Sequence, residues 1–173
     1  SAGASLGYGA SVHNTAFGGR SLAEDLPMIL DILSQTLRQP VFPVDHLEKQ
    51  RAQFMTMLAI RAQDTEEMSS MTFDQILFKN HPYGRPEEGY PETIQKIQRA
   101  DIEEFHRAHY GPRGMVVSIV GAVTAKDAVA LVEKYLGDWQ NAEQAAYPDK
   151  IEIQPLKETE RQHIEIPGKS QTD

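Results

Sequence analysis

Residues 80–123 read NHPYGRPEEGYPETIQKIQRADIEEFHRAHYGPRGMVVSIVGAV, and this stretch decides how the rest of the chain is read. His81-Pro82-Tyr83-Gly84 is a turn: proline fixes its own φ and pushes the preceding residue out of the helical region, while glycine supplies conformations that other residues avoid. A helix arriving from the N-terminal side therefore stops near Asn80. Ile94 and Ile97, then Ile102 and Phe105, predict two short helical pieces, the second opened by Asp101 as a cap and closed by Tyr110-Gly111-Pro112. Residues 115–121, MVVSIVG, form a near-continuous β-branched apolar run bounded by Gly114 and Gly121, the pattern of a strand buried on both faces.

Working outward, residues 4–19 alternate and are rich in Ser, Thr and Gly, which predicts two strands or one bent one, with Gly7 and Gly9 marking a bulge or a close backbone approach. From Ser21 the period lengthens. Leu22, Leu26, Ile29, Leu30, Leu33 and Leu37 share one helical stripe, with Ser21 and Glu24 spaced as a capping box. A second helix over 45–63 carries Leu47, Phe54, Met55, Leu58 and Ala62, entered through Pro43. A third over 65–79 carries Met68, Met71, Ile76 and Leu77, capped by Asp64 or Thr65. Thr124 caps a further helix with Ala128, Leu131, Val132 and Leu136, followed by Trp139. Residues 141–150 read as a loop, and 151–153 and 162–166 as strands. The order predicts an α+β class, a mixed or antiparallel sheet with helices packed on one face. Residues 1–150 would form a core domain, its N-terminal part missing, and 151–173 a connecting segment and first strand leading into a second domain.

Composition narrows the partners. The chain has 173 residues, 40% apolar, enough for one core. A formal net charge of -8 and the lack of Lys/Arg clusters argue against nucleic acid or an anionic membrane as partner, and no apolar run is long enough to span a bilayer. With no cysteine, disulfides and thiolate metal sites are excluded.

Chemistry-bearing residues are sparse. His106 and His109 stand three apart near Glu103 and Glu104, but H-R-A-H lacks the i,i+4 pair and intervening Glu of a zincin helix, so one solvated histidine and one packed beside Tyr110 are expected. His46 at a helix start reads as structural, and His13, His81 and His163 stand outside any motif. The four methionines of residues 55–71 have the spacing of core residues. Gly18-Gly19-Arg20-Ser21 lacks the lysine of a phosphate-cradling loop.

The ordered set H-P-Y-G, E-G-Y-P-E-T-I and D-I-E-E-F-H-R-A-H-Y-G-P-R-G-M-V-V-S-I-V-G-A-V resembles the pitrilysin/insulinase family of zinc metallopeptidases, the group that includes mitochondrial processing peptidase. G-A-S-L at 3–6, L-x-Q-P-V-F-P at 37–43 and P-G-K-S-Q-T-D at 167–173 extend the likeness over nearly the whole chain. The resemblance implies half of a clamshell of paired α+β domains. In active members it implies zinc held by an H-x-x-E-H helix, whose Glu is the general base, and by a distant Glu. No H-x-x-E-H occurs in residues 1–173; it would lie upstream of Ser1.

The distant ligand can be placed. In active members the helix after P-x-F carries the ligand Glu just before an Ile and another Glu seven residues earlier. Matched here, those positions are Gln50 and Met57, two turns apart on one face. Neither is a carboxylate. Glu48 lies about 180° round the helix from Met57, and Asp64 about 10 Å along it. The family's substrate-pairing N-A-x-T run matches Gly7, Tyr8, Gly9 and Ala10, without Asn or Thr, where main-chain pairing of a peptide remains feasible.

The resemblance thus implies a non-catalytic half or subunit of a zinc endopeptidase assembly. This segment itself would hold no cofactor, zinc belonging to the full-length protein or to its partner if either is active, and the partner would be a homologous domain or subunit carrying the zinc motif. The alternatives are a segment of an active zinc metalloendopeptidase whose metal motif lies upstream of Ser1, and a peptide-binding or assembly module with no protease partner.

Overall fold

Gly19 sets the hairpin that opens the fold. In the computed structural model, which describes residues 3–170, strand β1 (Ser5–Ala10) pairs antiparallel with β2 (Thr15–Arg20), from Ser5 opposite Arg20 to Ala10 opposite Thr15. The register is unbroken, so Gly7 and Gly9 mark no bulge. The close approach is at Gly19, where a Cβ would come within 2.7 Å of the Ser5 carbonyl oxygen. Residues 11–14 close the hairpin with Ser11 N–H donating to Asn14 O at 2.8 Å.

Helix α1 (Leu26–Arg38) begins later than the capping pattern predicts. A 3-10 turn at Ala23–Asp25 comes first, Pro27 sits in the first turn of the α-helix, and no side chain caps it. Ser21 is therefore no cap, and Leu22 lies 61% exposed outside the stripe. Helix α2 (Val44–Arg61) and helix α3 (Thr65–Leu77) follow. Asp64 accepts from Glu67 N–H at 3.1 Å, so of the two candidate caps, Asp64 and Thr65, Asp64 is the N-cap of α3. Asn80, with φ 63, and a 3-10 turn at Pro82–Gly84 end the segment where the H-P-Y-G turn requires it. Helix α4 (Pro91–Ile94) is one turn. Helix α5 (Arg99–His109) starts two residues before Asp101, which falls within the first turn, complementing the dipole rather than capping. Helix α6 (Ala125–Leu136) is capped by Thr124, whose hydroxyl accepts from Asp127 N–H at 3.1 Å.

Contacts divide the chain into two units, Ser1–Phe42 with Ala100–Ala146 and Pro43–Arg99 with Tyr147–Asp173. In the first, Leu30, Leu33 and Leu37 of α1 are 3–5% exposed and form the core. Leu6 and Phe17 of the hairpin, Leu131, Val132 and Tyr135 of α6, and Trp139 beyond it pack on that core. Ser34 Oγ donates to Tyr135 O at 2.7 Å, tying α1 to α6. In the second unit the buried side of α2 is Leu47, Arg51, Met55 and Leu58, whereas Phe54 and Ala62, expected in the stripe, face solvent.

The class is α+β, as expected, but the sheet is smaller than the pattern implies. Among the described residues β1 and β2 are its only strands. Residues 115–121, 151–153 and 162–166 are not strands, because none finds a ladder partner among the described residues.

Candidate functional site

The sequence points to one face of α2. Eighteen residues from Val44 to Arg61 make five turns, entered through Pro43, whose extended backbone sets up the first turn. Gln50 and Met57 both lie on its exposed side, Met57 at 39% exposure. The shallow surface there is lined by Lys49, Ala52, Gln53, Thr56, Met57 and Ile60, with no acid among them.

Both nearby carboxylates are already engaged. Glu48 accepts from Arg51 Nε at 3.1 Å and from its NH2 nitrogen at 3.2 Å, and these hydrogen bonds hold its carboxyl below the ordinary glutamate range. Arg51 in turn donates to the carbonyls of Ile94 and Ile97, the latter at 2.6 Å, so its guanidinium fastens α4 and the following turn to α2. Asp64 is taken by the α3 cap. The residues of this face do not fit a zinc site: it presents the Gln50 amide and the Met57 thioether, and zinc favours His, thiolate or carboxylate ligands. Among the described residues no three of His, Asp and Glu are grouped closely enough to hold a metal ion.

The histidines have structural surroundings. His106 Nε2 donates to Leu37 O at 2.8 Å, stacks on Tyr110 at 4.8 Å and meets Phe42 edge-on at 5.7 Å. His109 is exposed beside Phe105. One is packed and one solvated, as the H-R-A-H spacing predicts. His81 caps the 3-10 turn, its Nδ1 accepting from Tyr83 N–H at 3.2 Å.

Gly7, Tyr8, Gly9 and Ala10 lie on β1 opposite Gly18, Phe17, Ala16 and Thr15, all four exposed. Among the described residues β1 has no neighbour on its other edge. Besides Arg51, two structural residues escape sequence reasoning. Asn141, in the loop after α6, donates to Arg107 O at 2.8 Å and Tyr110 O at 2.7 Å, closing the C-terminal end of α5. Gln144 exchanges two hydrogen bonds with the Arg113 backbone, and a Cβ on Gly111 would collide with its side chain.

Residues 96–173 match the family described as the peptidase M16 inactive domain. An uncharacterized zinc protease of Mycobacterium tuberculosis is 31% identical over 72% of the chain and 28% of its own length. The beta subunit of the mitochondrial-processing peptidase of Saccharomyces cerevisiae is 30% identical over 73% of the chain and 28% of its length. The crystal structure of a peptidase M16 inactive domain from Pseudomonas fluorescens superposes with a TM-score of 0.74 at 25% identity, covering 89% of this chain and 37% of that one. The chain belongs to the M16 peptidase family, to which its relatives among the zinc proteases and processing peptidases attach it. It spans less than a third of the length of those two curated relatives. The match includes the P-G-K-S-Q-T-D end, of which residues 171–173 lie outside the described residues.

Proposed function

We propose that this chain is part of the non-catalytic half or subunit of a zinc endopeptidase assembly, completing a chamber with a homologous domain or subunit that carries the zinc motif. The observation that carries the reading is the α2 face. Gln50 and Met57, the residues matched to the two carboxylates of active members, stand exposed, and the acids beside them are held by Arg51 and by the α3 N-terminus. The likeness to M16 domains described as inactive supports it, and the yeast relative is by name one subunit of a processing peptidase. In this reading residues 1–150 form the core α+β domain and 151–173 lead into a second one. The open edge of β1 at Gly7–Ala10 would take an extended peptide through main-chain hydrogen bonds, which need no particular side chains. The name of the mycobacterial relative favours the second reading, a segment of an active zinc peptidase.

Co-expression separates the readings. The polypeptide that contains these residues is purified alone and together with a homologue bearing H-x-x-E-H, and peptide hydrolysis is followed in each. The proposal expects a stable complex, with hydrolysis abolished when the Glu of the H-x-x-E-H partner is changed to Gln. Full hydrolysis by the polypeptide alone, lost on replacing an acid between residues 45 and 64, supports the second reading instead.

A further inference from the structure

The loop after α6 begins bonded and ends unbonded. Residues 141–145 are clamped to the end of α5: Ala145 N–H donates to Ala108 O at 2.7 Å, beside the hydrogen bonds of Asn141 and Gln144. Residues 147–159 then enter no hydrogen bond and no ion pair with any described residue, form no helix or strand, and are exposed at every position. Tyr147 is 72% exposed, Ile151 48%, Ile153 47% and Leu156 40%. Among the described residues, backbone bonding resumes at Lys169, whose N–H donates to Ile166 O at 3.2 Å.

We propose that residues 150–156 are a proteolytic processing site, cut by an endopeptidase that seats one apolar side chain just after the scissile bond. The bonds offered are Lys150–Ile151, Glu152–Ile153 and Pro155–Leu156. Water adds across the bond that breaks, the carbonyl side leaving as a carboxylate and the nitrogen side as an ammonium group, so water is the one co-reactant.

An endopeptidase takes its substrate as an extended chain whose N–H and C=O groups pair with the enzyme. A segment held in a helix, a ladder or a core must first open, at a cost that reaches the full unfolding free energy for the most protected elements. Residues 147–159 have no such bonds to break. The other run without backbone hydrogen bonds, residues 116–120, keeps Val117 and Ile119 half-buried. Recognition of an apolar side chain is favoured over recognition of a basic one, because each base here has an acid beside it: Asp149 before Lys150, Glu158 after Lys157 and Glu160 before Arg161. Every described helix and strand ends by Leu136, so hydrolysis leaves all of them uncut. The site stands whichever reading of α2 holds.

Thermolysin, which cuts ahead of apolar residues, tests the site when added in limiting amount to the native full-length polypeptide, with the first fragments identified by mass spectrometry. Cleavage ahead of Ile151, Ile153 or Leu156 is expected at least about 100-fold faster than at any bond within α1–α6, and at a rate unchanged by urea below the unfolding transition. The combined variant Ile151→Ser, Ile153→Ser, Leu156→Ser is expected to be cut in this segment at least about 10-fold more slowly, as befits loss of the side chain an apolar pocket reads. Three results overturn the proposal. A segment left whole while the helices are digested means that the rest of the polypeptide covers it. Cleavage that accelerates with urea in step with global unfolding means that the bonds are closed in the native state. A triple variant cut here as fast as the wild type means that the apolar side chains are not what the enzyme reads.

Discussion

Arg51 shows at the level of one residue why this segment holds its shape. It occupies the buried side of α2, its side chain 15% exposed, and satisfies two carbonyls at the end of α4 and the turn after it. Arg51→Met keeps much of the aliphatic stem and removes every donor, which should cost about 1.5–3 kcal/mol because charge-assisted bonds to half-buried carbonyls are lost; denaturant unfolding of Arg51→Met against wild type measures it. The pair of Arg38 and Asp138, at 2.7 Å, gives a pH signature instead. The Arg38 hydrogen bond holds the Asp138 carboxyl below its ordinary value. A group depressed on folding stabilises fully above its unfolded pKa, and that contribution fades as pH falls through the folded value. Asp138→Asn should therefore lower Tm slightly at neutral pH, with the difference shrinking below pH ~4, where unfolded aspartate begins to take up its proton. A Tm difference unchanged down to pH 2 contradicts this. The sequence did not announce Arg51: it sits where the helical stripe asks for an apolar residue, and its partners are 43 and 46 residues away.

At the scale of elements, the features that could be read were the local ones. Asp64 and Thr124 cap their helices because the donor lies three residues on, within reach of any short oxygen-bearing side chain. Ser21 and Glu24 have that same spacing and fail, since Pro27 and the 3-10 turn move the start of α1 to Leu26. The closure of α5 by Asn141 was illegible because it acts across more than thirty residues. Asn141→Ala should cost about 1–2 kcal/mol by leaving two helix-end carbonyls without their donor, within the range of single hydrogen-bond deletions, and should speed amide exchange in the last turn of α5 while leaving α1 unaffected. Uniform destabilisation without faster local exchange at 107–110 would show the contact to be incidental. The run at 115–121 carries the apolar pattern of a strand and is none among the described residues, because a ladder needs a neighbour that the pattern does not supply.

For the molecule as a whole, the class and the family were legible because turns, caps and apolar periods in a fixed order identify a scaffold, active or inactive. The core of the first unit rests on α1: Leu33→Ala should cost about 2–5 kcal/mol, as for other leucines buried among side chains that cannot collapse into the gap, and calorimetry of the full-length polypeptide measures it. Activity turns on a different element. The account's central claim is that α2 and the turn after it supply no metal ligand, and zinc stoichiometry tests it most directly. Zinc bound per full-length polypeptide is measured for the wild type and for Asp45→Asn, Glu48→Gln and Asp64→Asn. The account predicts the same zinc content in all four, whatever its absolute value. Stoichiometric zinc in the wild type that disappears in any one of the three variants, with the fold retained, would contradict it.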